Sequence, residues 1–158
     1  MGLLKGIDPL LTPDLLWVLR SMGHGDKIVI VDCNFRAYEV AKKTTSGKLI
    51  HLQVDLPAAT DAICSVLPLD FFVEQPCRIM HPSEGVEFPV EAKLVWCDTA
   101  EAIAKHSPDM GLVTLERFKF YEEARTCFAV VQTMERRPYG NIILQKGVIG
   151  PDGKDLKP

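Results

Sequence analysis

Long apolar runs are missing from this sequence. The longest, such as Ile28 to Val31 and Phe128 to Val131, are far shorter than the roughly 18 to 20 residues that a membrane-spanning helix needs. The first residues also lack the long apolar region and the small-residue cleavage site of a secretory signal. We therefore expect a cytoplasmic protein that has no membrane partner.

Clustered positive charge and paired cysteines are missing too. The formal net charge is −3 and Lys and Arg are scattered, so nucleic acid binding, which needs clustered cations, has no support. The five cysteines include no C-x-x-C pair, which argues against a disulfide framework or a zinc ribbon and for free thiols in a reducing compartment. No two histidines stand at H-x-x-x-H spacing, so we expect no metal site.

The remaining features are those of one ordinary globular domain, since the chain has 158 residues, 47% of them hydrophobic and 25% charged. A helix is predicted over 12–22, because Thr12 can cap it, Pro13 suits its first position and Gly23 ends it. The β-branched run from Lys27 to Val31 is typical of a strand that is buried on both faces.

Further elements follow along the chain. We predict strands at 49–54, 71–80, 111–115, 127–133 and 141–148, and helices at 55–67 and 117–125. The segment 90–106 favours a helix, although 94–97 also fits a strand. This alternation indicates an α/β fold, a layered single domain over 1–149 in which helices flank a largely buried mixed sheet. Residues 150–158 are expected to form a loose tail.

His24 and Asp32 are the first candidate functional pair. Asp32 ends the buried strand, and ligands collect beyond the carboxyl ends of strands in open α/β sheets. His24 lies between Gly23 and Gly25, just past a helix C-terminus whose partial negative charge favours a protonated imidazole, and Asp26 and Asp32 could add to this effect. We hypothesise that His24 gives and recovers a proton near neutral pH. The alternative is that His24 and Asp32 only cap the ends of their elements.

Arg117 is a second candidate, because it falls in the first turn of a helix, where a cation opposes the macrodipole. The helical period places it on one face with Phe120 and Tyr121, and a cation beside aromatic rings is common in sugar and anion sites. The alternative is an exposed arginine paired with Glu116 or another neighbour, with the aromatic rings in the core.

The third candidate for a functional site is the turn formed by Tyr139, Gly140 and Asn141. Gly140 permits a close backbone approach, and the phenol and the amide beside it are groups that could bind a polyhydroxylated ligand. Most triplets of this kind are only turns.

Taken together, these residues resemble the L-fucose mutarotase and D-ribose pyranase family. The match runs in order from about residue 5 to 149 and is carried by Pro9 to Leu16, Met22 to Asp26, Asp32, Arg117 to Glu122, Tyr139 to Leu144 and Lys146 to Val148. Arg117 followed by Phe118 resembles the fucose branch, since the ribose branch has His in place of that Arg. Arg36 departs from the family pattern, which has proline after the aromatic residue, and the segment from Phe71 to Asp109 matches poorly.

The resemblance implies a cofactor-free isomerase that interconverts the α and β anomers of L-fucose or a related monosaccharide. It also implies a ring-shaped homo-oligomer, typically a decamer, with the pocket near a subunit interface. Carried over residue by residue, His24 matches the proton donor and Asp32 a substrate-binding position that could assist as base. Arg117 matches a second substrate-binding position, and Tyr139, Gly140 and Asn141 match the sugar-binding turn. Tyr121 is a candidate neighbour of Arg117 and is included among the candidate substrate-binding residues without a definite role.

Anomers exchange through an open-chain aldehyde, which requires a proton delivered to the ring oxygen and another removed from the anomeric hydroxyl. On this reading His24, held next to a carboxylate and a cation, acts as general acid while Arg117 stabilises negative charge on the opening sugar. Two alternatives stay open: a D-ribose pyranase, and a sugar-binding or regulatory protein without turnover.

Overall fold

Helices and strands alternate along the computed structural model, which describes all residues from Met1 to Pro158. The helices are α1 (Pro13–Ser21), α2 (Ala37–Ala41), α3 (Leu56–Cys64), α4 (Val90–Ala104) and α5 (Arg117–Ala124). The strands are β1 (Lys27–Val31), β2 (Leu49–His51), β3 (Cys77–His81), β4 (Val113–Glu116), β5 (Ala129–Gln132) and β6 (Ile142–Gln145). The predicted layered α/β fold is confirmed. Within the segment 90–106, residues 90–104 form a helix and no strand is present. The short helix α2 was not predicted from the sequence.

Local capping explains where three of the helices begin. Thr12 Oγ1 accepts the Leu15 N–H ahead of α1, and Asp55 Oδ1 accepts the Ala58 N–H ahead of α3. Glu116 Oε2 accepts the N–H groups of residues 118 and 119 ahead of α5. Each side chain satisfies backbone donors that have no partner inside the helix.

The sheet has the strand order β2-β5-β1-β6-β3-β4. Neighbouring strands pair in parallel except at β6, which runs antiparallel to both β1 and β3. Five strands therefore point the same way, and β6 alone runs backwards. We call the end where these five strands finish the carboxyl end of the sheet, and the opposite one the amino end. The residues before β6 lie at the carboxyl end, and those after it lie at the amino end.

Hydrophobic cores cover both faces of the sheet. The larger has 24 buried residues and packs α1, α3 and α4 against one face. The smaller has 12 and packs α2 and α5 against the other. Along β1, Ile28 and Ile30 enter the larger core while Val29 and Val31 enter the smaller one. This alternation explains why β1 reads as a continuous apolar run. None of the five helices combines the length and the apolar character that a membrane span requires.

The chain beyond β6 is more ordered than the predicted loose tail over 150–158. It turns at Gly150 and comes back, so that the Leu156 N–H donates to the Val148 carbonyl at 2.8 Å. Lys157 Nζ then reaches Asp109 Oδ2 at 3.1 Å and lies over the Phe71 ring. The mixed charges that suggested a solvated tail thus include a lysine that anchors it to the domain.

Candidate active site

The candidate site residues fall into two groups at opposite ends of the sheet. Asp32 follows β1 and Arg117 follows β4, while Tyr139, Gly140 and Asn141 precede the reversed strand β6, so all five lie at the carboxyl end. His24 precedes β1 and lies at the amino end. The antiparallel direction of β6 is what brings the turn at 139–141 to Asp32.

At the carboxyl end the side chains surround an open cavity of about 350 Å³, the carboxyl-end pocket. Its lining consists of Asp32, Asn34, Phe35, Met80, Arg117, Tyr121, Pro138, Tyr139 and Asn141. This set contains every predicted site residue except His24 and Gly140. A carboxylate, a guanidinium, two phenols and amides around one cavity are groups that bind sugar hydroxyls.

Asp32 is the titratable group of this pocket. Its side chain is buried, and desolvation raises the pKa of its carboxyl to about 6, although hydrogen bonds from the Asn34 N–H and the Asn141 amide pull that pKa downward. The Asn34 N–H donates to Oδ1 at 3.0 Å, so the predicted local capping role of Asp32 is also present. A carboxyl group with a pKa near 6 can accept and return a proton close to neutral pH.

Asn141 holds Asp32 from the neighbouring strand. Its Nδ2 donates to Asp32 Oδ2 at 3.0 Å, and its Oδ1 accepts the Asp32 N–H at 2.8 Å. Asn141 is itself buried, with only 3% of its surface exposed. Both ends of the amide are thus engaged inside the protein, and Asn141 orients the carboxylate in addition to lining the pocket.

The turn before β6 is tightly built. Tyr139 has φ +60°, a left-handed conformation that is costly for a tyrosine and is found mostly where a site requires it. A side chain at Gly140 would collide with Glu135, because a Cβ there would lie 2.7 Å from the Glu135 Cγ. Glu135 in turn binds Arg137 through three hydrogen bonds. Gly140 therefore permits a close approach to Glu135 inside the protein, and its neighbour Tyr139 lines the pocket.

Arg117 and Tyr121 also line this pocket. Arg117 is exposed and makes no ion pair, so the alternative of an Arg117–Glu116 pair is wrong: Glu116 is occupied as the cap of α5 and accepts the Ser83 hydroxyl at 2.7 Å. Tyr121 stacks on Phe35, with ring centroids 4.7 Å apart and an interplanar angle of 7°. The Tyr121 phenol is therefore held beside the cavity by Phe35, while the Arg117 guanidinium has no hydrogen-bond or ion-pair partner in the protein.

At the amino end, His24 is paired with Asp70. The two side chains meet at 3.1 Å between Nε2 and Oδ2, and Asp70 is only 1% exposed. Gln145 Nε2 donates to the same oxygen at 3.0 Å, and the Phe72 N–H donates to Oδ1 at 3.0 Å. Because an ionised carboxylate can only accept, His24 Nε2 carries the hydrogen and Nδ1 is left without a partner in the protein.

The alternative interpretation, that His24 caps the end of helix α1, is wrong. The carbonyls of Leu19 and Met22 instead accept hydrogen bonds from Lys146 Nζ at 2.7 and 2.6 Å. The imidazole stays half exposed, and the ring of Phe72 contacts it edge-on at 5.9 Å between centroids. Asp26, expected to support His24, accepts the Gly23 N–H at 2.8 Å. His24 is thus available for contact with a ligand.

We expected Asp32 to lie beside His24, but within one chain the two residues are far apart. The five residues of β1 separate the two and span about 16 Å. The carboxylate next to His24 is Asp70, which sequence reasoning missed together with Phe72 and Gln145. No three His, Cys, Asp or Glu side chains are grouped so that they could hold a metal ion.

The fold and these strand-end sites define a small α/β protein with polar sites at both ends of a mixed sheet. Comparison with known families identifies it more closely. The model of the RbsD / FucU transport protein family matches residues 5–149. The chain therefore belongs to the RbsD / FucU family.

Relatives named as fucose mutarotases match over nearly their whole length. A fucose mutarotase from Homo sapiens is 39% identical over 157 residues, which cover 94% of this chain and 96% of the relative. An L-fucose mutarotase from Haemophilus influenzae is 36% identical over 146 residues, covering 92% of this chain and 97% of that protein.

Solved structures agree with this assignment. The fucose mutarotase of Streptococcus pneumoniae, in complex with L-fucose, superimposes with a TM-score of 0.81 at 35% identity and covers 93% of this chain and 100% of that one. RbsD of Bacillus subtilis, complexed with D-ribose, is 20% identical with a TM-score of 0.64 over 94% of this chain and 100% of that one, so it supports the fold alone.

Proposed function

We propose that this chain is a sugar mutarotase that interconverts the α and β anomers of L-fucose or a closely related monosaccharide. The observation that carries the proposal is the His24–Asp70 pair, a half-exposed imidazole whose one nitrogen is fixed by a buried carboxylate. Binding alone would not need a proton-transfer group held in this way. The names of the matched relatives point to the same reaction.

The proposed chemistry needs two groups that exchange protons. Protonated His24 donates from Nδ1 to the ring oxygen as the bond between that oxygen and the anomeric carbon breaks. The Asp32 carboxylate accepts the proton of the anomeric hydroxyl, which leaves an open-chain aldehyde. Rotation about the bond between C1 and C2 and return of both protons close the ring as the other anomer. The supporting features are the Nε2–H contact with Asp70 and the Asp32 pKa of about 6.

The other pocket residues bind and orient the sugar in this scheme. Arg117 donates to sugar hydroxyls and stabilises negative charge on the opening sugar oxygen. Tyr139 and Tyr121 supply phenols, Gly140 fixes the turn and Asn141 keeps the Asp32 carboxylate in place. No cofactor takes part in this scheme.

Because His24 and Asp32 lie at opposite ends of β1, we propose that one complete site combines the amino end of one subunit with the carboxyl end of the next. A head-to-tail contact of this kind closes into a ring when it repeats by rotation. The family resemblance suggests ten subunits, which sedimentation or native mass spectrometry would measure. We also propose a cytoplasmic location, which the five free cysteines support.

The test is NMR saturation transfer between the α and β anomeric protons of L-fucose, with purified protein and with His24→Ala. Exchange well above the rate in buffer, lost in the variant, is the expected result. Faster exchange of D-ribose than of L-fucose would favour a pyranase. Sugar signals that broaden with protein while no sugar exchanges faster than in buffer would contradict catalysis and favour a binding protein.

A further inference from the structure

A second cavity opens beside the carboxyl-end pocket and shares Arg117 and Tyr121 with it. This arginine pocket has a volume of about 230 Å³ and is lined by Arg36, Arg117, Phe118, Tyr121, Glu122 and Arg125. Three of its six lining residues are therefore arginines, in a protein whose formal net charge is −3. The arginine pocket is therefore locally rich in positive charge, although the protein as a whole is negatively charged.

The three guanidinium groups are not equivalent. Arg125 is tied to Glu39 through two hydrogen bonds, of 3.1 and 3.0 Å. Arg36 and Arg117, in contrast, make no hydrogen bond or ion pair through their side chains, and Glu122 is the only acidic side chain in the lining. The pKa of Glu39 is lowered first by its contact with Arg125, and also by the charge of Arg36. Arg36 thus adds positive electrostatic potential to the arginine pocket, and no acidic side chain is paired with it.

Unpaired guanidinium groups that line one cavity are suited to an anion. The planar fork of arginine matches the two oxygens of a carboxylate or of a phosphate, and such contacts are stronger than neutral hydrogen bonds. Glu122 reduces the positive charge of the pocket, but a single carboxylate does not balance two free arginines.

Building on the proposed mutarotase function, we propose that the arginine pocket binds an anionic substituent of the sugar, a carboxylate or a phosphate. Arg117 would then contact both parts of the ligand, since it lines both cavities. The anionic group must be on a carbon other than C1, because ring opening requires a free hydroxyl at the anomeric carbon. In addition to neutral monosaccharides, the protein would therefore accept a sugar acid or a sugar phosphate with a free reducing end.

Binding to matched sugars tests this inference separately from catalysis. The probes are D-ribose 5-phosphate against D-ribose, and D-galacturonate against D-galactose, each titrated by calorimetry into the full-length protein. We expect the anionic member of at least one pair to bind about tenfold more tightly than its neutral partner. The pair that shows the preference identifies the anion as phosphate or as carboxylate. This preference should shrink in high salt, which screens exposed charges.

Arg36→Ala should remove most of the preference, while Lys154→Ala, which deletes an exposed positive charge in the C-terminal turn, should retain it. Equal affinity within both pairs, or an unchanged preference in Arg36→Ala, would overturn the inference. Exchange of L-fucose is measured in parallel. If L-fucose exchanges rapidly while anionic sugars bind no better, only the arginine pocket inference fails. If anionic sugars bind better but no sugar exchanges, only the mutarotase proposal fails.

Discussion

Asp70 Oδ2 lies 3.1 Å from His24 Nε2, although the two residues are 46 positions apart in the sequence. Asp70 is nearly inaccessible and also accepts hydrogen bonds from Gln145 and from the Phe72 backbone, so its carboxylate has little freedom to move. An imidazole held by a fixed acceptor has one defined tautomer and one defined orientation. Asp70 is therefore a positioning residue for His24.

Asp70→Asn should slow anomer exchange by about tenfold or more, because general acid catalysis contributes roughly 10²- to 10⁴-fold and depends on the orientation of the acid. The amide has nearly the same shape but can present a donor to His24 Nε2, which favours the wrong tautomer. The measurement is the L-fucose exchange rate as a function of pH.

The pH profile separates this role from a merely structural one. We expect the pH profile of L-fucose exchange to change in shape in the variant, while the thermal midpoint changes little. A profile of unchanged shape and rate would refute a positioning role for Asp70.

The stability of the protein should depend on pH through Asp32. Its pKa in the folded state, about 6, is higher than the ordinary value of 3.8, so the folded state binds more protons between these two pKa values. Stability contributed by the protonated carboxyl is therefore lost as pH rises from about 4 through 6, and the cost is fully present above that range.

Asp32→Asn removes this dependence. Between pH 4 and pH 7.5 the free energy of unfolding of the variant, relative to that of the wild-type protein, should rise by about 2 kcal/mol. Urea unfolding at fixed protein concentration measures it. A difference that stays constant with pH would show that the pKa of Asp32 is not raised. In the wild-type protein the same titration should reduce anomer exchange below about pH 6, since a protonated carboxyl cannot act as base.

Gly147→Ala should displace the residues of the amino-end site, His24 and Asp70, without removing any of their polar groups. A Cβ at Gly147 would collide with the Leu69 carbonyl and lie 2.9 Å from the Asp70 Cα, so the backbone that carries Asp70 must shift. We expect a loss of about 1 to 3 kcal/mol in the free energy of unfolding and a slower L-fucose exchange.

Gly111→Ala is the matched control, because no atom lies within 4 Å of a Cβ built at that glycine. It should leave both the free energy of unfolding and the exchange rate close to wild-type values. If Gly147→Ala behaves like this control, the close packing at Leu69 and Asp70 does not support the site.

Much of the fold could be predicted from local signals. The Thr12 cap, Pro13 and the β-branched run of β1 correctly predicted α1 and β1, and alternation of elements predicted the layered α/β class. Helix α2 was missed because its five residues are too few to display a helical period and no side chain caps it. The C-terminal turn was missed because Lys157 finds its partner, Asp109, 48 positions away.

The candidate site was predicted in part. The candidates at the carboxyl end could be identified because their signals are local in the sequence. These signals are a carboxylate at the end of a strand, an arginine in the first turn of a helix and a turn that contains glycine. Asp70 left none, because its contacts with His24 and Gln145 depend on long-range pairing of the sheet. The separation of His24 from Asp32 likewise follows from the length and direction of β1, which was predicted as a strand but not used to measure distance.

Mixing of two inactive variants most directly tests the central claim that neighbouring subunits build one site. His24→Ala has an intact carboxyl end, and Asp32→Asn has an intact amino end. If a site takes one end from each of two subunits, about a quarter of the interfaces in randomly mixed oligomers combine the two intact ends. The measurement is L-fucose exchange by saturation transfer after the two chains are refolded together.

The account predicts that the mixture recovers up to about a quarter of the wild-type exchange rate, while each variant alone stays near the rate in buffer. A mixture of His24→Ala with Asp70→Asn should show no such recovery, because both changes are at the amino end. Oligomers that contain both His24→Ala and Asp32→Asn chains, confirmed by native mass spectrometry, yet remain as inactive as either variant would contradict a site shared between subunits.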